Sequence, residues 1–320
     1  MDLFRFPRPK TFAEASQLVQ ERQKPLEELV TRAYRDQAGE DWKSFQLGMF
    51  HFHTQYPGPW QEDWASHGLR TLAYDFEDKV LPGRDLPPEA GTIDGFIDYA
   101  CKLLPSITTL QTPLLRFLID KEPSRDQWRT YAASMYGRGR VHHGNLARLS
   151  LNLPREEYAC FAYRMLGDEG GQGNYKKAHS TLILPFLEHL GGSIADTDRL
   201  GEIFEGKVLF NWMNRCFMHP NPVWGVATIF YLENQAAMEF TAMLPRLRKA
   251  KFPEEVLEFF TIHGDDPETE LHNNMCRDML RSHIKGPQDI KIANVAIRRA
   301  GDLFESLFAR VAQLMEIKAA

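Results

Sequence analysis

Two carboxylates and two imidazoles fall where a helix should carry only apolar side chains. Over 154–169 the helical stripe runs Tyr158, Phe161, Ala162, Met165 and Leu166, and its next position is Glu169. Over 222–248, Glu233 sits between Ile229 and Phe230 on one side and Ala236, Ala237 and Phe240 on the other. His179 leads the stripe Leu182, Ile183, Phe186 and Leu190, and His263 follows Val256, Phe259 and Phe260. An ionisable group on an apolar face must be paired, metal-bound or neutralised, because burying it alone is costly. Each has an ordinary alternative: an inward His can be a hydrogen-bonded core residue, and an inward Glu can meet a buried Arg. Four such groups from four helices together form a mixed oxygen and nitrogen donor set that suits Fe or Mn between facing helices. Zinc would accept the same donors.

The segment Gly167-Asp168-Glu169-Gly170-Gly171-Gln172-Gly173-Asn174-Tyr175-Lys176-Lys177-Ala178-His179-Ser180-Thr181-Leu182 resembles the Asp-Glu-Gly-Gly…Ala-His-x-x-Leu signature of the haem-oxygenase-like diiron oxidases and oxygenases. These are iron-containing redox enzymes on a TenA/PqqC-like helical fold. The resemblance covers roughly 124–317 and implies an all-α, haem-oxygenase-like seven-helix bundle core preceded by an N-terminal helical extension. It also implies Fe(II), one or two ions, and O2, with Glu169, His179, Glu233 and His263 matching the first four family ligands in order. Glu169 and Glu233 would be the catalytic carboxylates, Glu169 bridging or terminal. The glycines have a physical role beside the family one. Ten residues of straight helix would put about 15 Å of rise between Glu169 and His179, so the chain must turn at Gly170, Gly171 and Gly173.

Two family positions are not met. The family places an Asp four residues and a His seven residues after the histidine equivalent to His263, where this chain has Pro267 and Glu270. Locally, Gly264 ends one helix and Asp266-Pro267 starts another, with Asp266 as N-cap and Pro267 at N1. His272 lies nine positions from His263, so it can join the same metal only if the chain breaks near Pro267. One or two of Asp266, Glu270 and His272 are expected to bind. The family also carries a Glu about 26 positions before Glu169, where this chain has His143 beside His142. The stripe Trp128, Ala132, Met135, Tyr136, His143 and Leu146 places His143 inward as a further candidate ligand.

Helical periodicity runs from Thr11 onward, with no alternating strand segment and no Asn-Gly or Asp-Gly hairpin signal. Helices are predicted at 12–22, 25–37, 40–51, 60–77, 92–103, 107–120, 124–150, 154–167, 174–190, 196–216, 222–248, 253–263, 267–282 and 288–317. Pro57-Gly58-Pro59, Pro82-Gly83 and Pro87-Pro88 punctuate the first third. The expected boundary lies near 121–124, giving an N-terminal helical extension over 1–123 and a metal-binding helical core over 124–320. The pair His51 and His53 is assigned core and surface duty.

With 320 residues, 43% of them apolar, and 38 Lys plus Arg against 43 Asp plus Glu, the chain can bury a sizeable core and carries no basic field for nucleic acid. No apolar run reaches the roughly 18 residues of a membrane span, and no signal core follows the first residues, so a cytoplasmic location is expected. The four cysteines are widely spaced and read as reduced core thiols. No glycine-rich phosphate loop and no GxSxG occurs. The resemblance implies a small-molecule substrate in biosynthesis, an amino acid or derivative or a fatty acid, undergoing N-oxygenation, oxidative C–C cleavage or desaturation. The resemblance also implies a homodimer, since family members are often dimeric. Two rival readings are a cofactor-free PqqC/TenA-like enzyme using His/Glu acid–base chemistry and a non-catalytic binding protein with a degenerate site.

Overall fold

Ten consecutive residues, Val223 to Leu232, are buried, apart from the ends the mark of a helix surrounded on all sides by other helices. This is α12 (Val223–Lys249), the axis of the larger of two compact units in the computed structural model. The structure describes residues 3–6, 8–55, 63–81, 83–200, 203–264 and 267–317, and no strand occurs among them. The smaller unit spans residues up to 83 together with 210–215, and the larger spans 84–209 and 216–320.

The smaller unit packs α1 (Phe12–Arg35) on α2 (Glu40–Gln55) and α3 (Trp64–Val80). The break predicted between 22 and 25 does not occur; α1 runs through Pro25. Asn211 donates to the Gln46 carbonyl at 2.7 Å, and buried His53 meets Tyr74 and Asn211 through its two ring nitrogens. His53 therefore has a core role, as expected. The Pro57–Pro59 turn and Pro82 lie outside the described residues.

In the larger unit, α4 (Ile93–Ile107) and α5 (Pro113–Asp120) pack on the last helix and on α12. That contact is why the compact division falls after Gly83, ahead of the 121–124 position suggested by composition. Next come α6 (Arg125–Asn152), opened by a Ser124/Gln127 capping box, and α7 (Glu156–Glu169) beside it. The predicted helix 174–190 is instead a series of short pieces, including α8 (His179–Leu182) and α9 (Leu184–His189). The non-helical Ala178, with ψ of 130°, and Pro185 at the first turn of α9 interrupt it. Then follow α10 (Ile194–Leu200), α11 (Phe204–Met218), α12, α13 (Glu258–Gly264), α14 (Pro267–His283) and α15 (Pro287–Leu314). The last three pack directly on α12. At Gly225 of α12 a Cβ would meet Leu149 at 2.9 Å and the Cys216 carbonyl at 3.1 Å.

All four cysteines are free. Cys216 and Cys276 are buried as expected, but Cys160 is exposed on α7, one residue before the inward Phe161/Ala162 pair.

Below α8, an aromatic cluster joins three segments of the site. Phe186 of α9 is fully buried and makes edge-on contacts with Trp128 of α6, Phe252 and Phe260 of α13, at centroid distances of 6.3, 5.0 and 5.1 Å. Phe186→Ala is expected to lower the unfolding free energy by about 3–5 kcal/mol in denaturant titration. A loss below about 1 kcal/mol would mean the cluster does not set the packing of α9 on α13.

Candidate metal centre

Glu169 is the last residue of α7, and the chain reverses directly after it. Gly171, Gln172 and Gly173 take φ of 63°, 53° and 83°, the left-handed region that glycine enters without a steric penalty. At Gly171 a Cβ would stand 2.4 Å from both the Lys177 carbonyl carbon and the Ala178 nitrogen. The incoming strand of chain therefore lies directly against the turn, and two residues later α8 begins with His179. His263 reaches the same place from α13.

These three side chains form the first cluster, with a ligand atom of each within 4.8 Å of the others. His179 Nδ1 lies 3.1 Å from Glu169 Oε1, and His263 Nε2 lies 3.8 Å from the same oxygen. The two rings stand 4.8 Å apart at 75°. His179 Nδ1 is buried and close to the carboxylate, yet it makes no hydrogen bond. It stands beside the carboxylate oxygen, where one cation could be shared by both groups. His263 donates from Nδ1 to the Phe259 carbonyl at 2.7 Å, which turns Nε2 toward Glu169.

A second cluster adjoins the first. Glu233 of α12 has Oε1 at 3.4 Å from His142 Nε2 and Oε2 at 3.4 Å from His272 Nδ1. His272 Nε2 in turn donates to Asp168 Oδ2 at 3.0 Å, so Asp168 orients the ring and leaves Nδ1 facing Glu233. Asp168 also accepts from Gln172. Side-chain exposure across both clusters runs only from 7% at His272 to 20% at His142, so these charges interact with little solvent screening.

Burial would raise the Glu169 carboxyl, but His179 and His263, with His142 beyond, hold it well below its usual range. Burial acts likewise on Glu233, and His142 and His272 override it, bringing its pKa to about 2. The imidazoles show the complement. Burial would lower His272, whereas Glu233 and Asp168 raise it to about 9. His142 is raised by Glu233 and Glu169 against the same burial penalty. Cys276, one turn after His272, is pushed well up by burial and then by the charge of Glu233, so its thiol stays protonated.

Of the residues expected from sequence, the fold brings together Glu169, His179, Glu233, His263 and His272. The helix does break between Gly264 and Pro267, and that break lets His272 reach the centre. Three other expectations end differently. His143 is exposed, and its neighbour His142 faces the carboxylates, in step with buried Leu146 and Leu149. Glu270 is exposed because it lies two residues, about 200° of helix, from inward His272. Asp266 lies outside the described residues. His142 and Asp168 are the members that sequence reasoning missed, although Asp168 stands inside the quoted signature.

Asp168, Glu169, His179, Glu233, His263 and His272 all border one cavity of about 350 Å³ whose remaining wall includes Leu182, Ala236, Ala237 and Ile262. Three carboxylates and four imidazoles, two of the rings oriented by hydrogen bonds, fit a hard or borderline metal ion such as iron. None of Arg138, Arg140, Arg148 and Arg164 lines this cavity; Arg138 pairs with buried Glu239 and Arg140 with Asp198.

An all-α bundle enclosing such a donor set defines a class of helical metalloenzymes. The chain belongs to the iron-containing redox enzyme family, whose model matches residues 129–301 and so includes every residue of both clusters. Its fold is haem-oxygenase-like. A domain of unknown function with a heme oxygenase-like fold from Shewanella denitrificans OS217 is similar at TM-score 0.58, with 15% identity over 70% of this chain and 94% of that one. A TenA homolog from Pseudomonas syringae pv. tomato DC3000 gives 0.57 at 10% identity, covering 72% and 100%. A CADD-like protein of unknown function from Nostoc punctiforme PCC 73102 gives 0.54 at 15%, covering 71% and 99%. No curated protein matches the sequence. Among the described residues no helix is long and apolar enough to cross a membrane.

Two outcomes follow for the metal-free protein. Because His272 is raised from 6.5 to about 9, the stability it contributes is fully present below about pH 6.5 and is lost as the pH rises through 9. The melting temperature of wild type should fall across that window more steeply than that of His272→Gln, measured by circular dichroism. Gly171→Ala should destabilise by more than about 1 kcal/mol, since its φ and the neighbouring backbone both oppose a side chain. Equal melting temperatures for Gly171→Ala and wild type would show that the turn tolerates a Cβ.

Proposed function

We propose that this chain is an O2-using non-haem iron oxidoreductase that holds two Fe(II) ions in the two clusters and oxidises a small molecule, an amino acid or amino-acid derivative, in a biosynthetic reaction. The observation that carries the reading is the first cluster, where ligand atoms of Glu169, His179 and His263, from three separate helices, lie within 4.8 Å of one another. Glu169, His179 and His263 would hold one ion, and Glu233, His142 and His272 the other. Manganese would suit the same donors. Bound iron supplies the redox chemistry with O2 that no protein side chain here can supply, directed at N-oxygenation, C–C cleavage or desaturation.

The chain's own residues set the conditions for that chemistry. The Phe259 carbonyl holds His263 with Nε2 toward Glu169, and Asp168 holds His272 with Nδ1 toward Glu233. Leu182, Ala236, Ala237 and Ile262 keep the wall beside the donors apolar, which limits water around a reactive centre. The small Ala236 and Ala237 side chains, one turn after Glu233, leave room for substrate next to its carboxylate. We assign the reaction to the cytoplasm and place a homodimer as the assembly to be tested.

A second, metal-free reading is favoured by one feature: both ring nitrogens of His272 already face carboxylates, as in an acid–base relay. Anaerobic Fe(II) titration of the metal-free chain separates the two. About two irons per chain are expected, falling to about one in His179→Ala and in His272→Ala, read by bound-iron analysis after desalting. No iron retained by wild type would overturn the iron reading and leave the acid–base one. A non-catalytic role would require the cavity to be dispensable, and substitution of Ala237 by Leu, which fills the wall, would then leave every ligand-binding property unchanged.

A further inference from the structure

Lys177 is the one Lys or Arg side chain among the described residues that line the cavity. Its Nζ lies 2.6 Å from Glu258 Oε1, and Glu258 borders the same cavity. Both side chains are about half exposed, 58% and 43%, so the pair stands at the rim, open to solvent and open to exchange. An exposed ion pair of this kind contributes little to stability, about 0–1 kcal/mol. Its placement is more informative. Lys177 precedes His179 by two residues, and Glu258 opens α13, the helix that carries His263. Each rim charge thus rides on the same short segment as an imidazole of the first cluster.

We infer that Lys177 and Glu258 form a zwitterion-selective head-group subsite at the cavity rim, Lys177 receiving the carboxylate and Glu258 the ammonium of an amino-acid substrate. A simple carboxylate that took Lys177 would leave Glu258 facing a second negative charge, beside a cavity already bordered by Asp168, Glu169 and Glu233. A simple amine that took Glu258 would leave Lys177 facing a second positive charge. A molecule carrying both charges on neighbouring atoms replaces the internal ion pair with two new ones and leaves neither protein group unmatched, so the subsite rejects singly charged analogues as well as accepting the zwitterion. Beyond the rim, Leu182, Ala236, Ala237 and Ile262 offer an apolar path for the side chain, in a volume that holds on the order of ten non-hydrogen atoms. The inference rests on the iron reading only for what happens at the far end of the substrate. It deepens the amino-acid reading by assigning the two charges of the head group to Lys177 and Glu258.

The test uses the full chain with three probes of matched length, norleucine, hexanoate and hexylamine, titrated calorimetrically under anaerobic conditions with and without Fe(II). Norleucine is expected to bind at least about tenfold more tightly than the other two. Lys177→Glu should weaken norleucine by about tenfold or more and favour hexylamine, and Glu258→Lys should favour hexanoate. Lys177→Arg should retain the wild-type order, and the double exchange K177E/E258K should restore preference for norleucine. Equal affinity for the three probes, binding of none, or an order unchanged by the single exchanges would each overturn the inference. Bound iron is measured on the same samples. A chain that takes up no iron yet ranks the probes as expected would overturn the iron reading alone, and a chain that takes up iron but ignores probe charge would overturn this one alone.

Discussion

Ten residues of chain separate Glu169 from His179, and a left-handed turn closes that interval to a 3.1 Å contact. Everything else at the centre is arranged around this closure. α7 must end where its carboxylate points inward, the turn must accept three successive positive φ values, and the returning backbone must lie against Gly171 without a Cβ between them. The turn also carries Gln172, which donates to Asp168, and Asp168 in turn orients His272. One local backbone constraint thus reaches both clusters.

The electrostatic arrangement answers the question of how such a bundle tolerates so many charges in its interior. Glu169 and Glu233 are each met by imidazoles from other helices, and each imidazole is held toward a carboxylate or fixed by a hydrogen bond to the backbone. Removing one member would leave a buried charge without its counterpart, which is far more costly than the pair's net contribution. The same mutual support means that a cation entering the centre competes with protons on the imidazoles.

Glu169, His179, Glu233 and His263 were legible in the sequence because each sits at the start, middle or end of a single clear apolar stripe. The all-α architecture was legible for the same reason, since strong 3.6-residue periodicity leaves little room for strands. α6 was harder. Its buried residues shift from 131–135 to 145–150 along 28 residues, so two adjacent histidines 100° apart could not be separated by one stripe, and the packing chose His142. Glu270 was placed by an interval that holds only on a continuous helix, and Gly264 and Pro267 divide that helix. The short pieces within 174–190 were read as one helix because apolar spacing alone does not register the non-helical Ala178, with ψ of 130°, or Pro185. Asp168 left no periodic signal, because its role comes from α14 approaching the end of α7 rather than from its own helix.

Gly264 closes α13 against the middle of α12, where a Cβ would press on the Phe240 carbonyl oxygen at 3.0 Å, two turns beyond Glu233. His263 and Glu233 therefore share one mechanical frame, the α12–α13 pair. Asp168 and Glu169 belong to a second frame, α7 with its turn, which His179 joins at the start of α8, His272 to a third, α14, and His142 to a fourth, α6. The donor spacing is in effect a vector sum over the interfaces joining these four bodies. Tolerances accumulate in such a sum, so residues far from any donor, wherever they set the seating of one frame on another, share control of the distances at the centre.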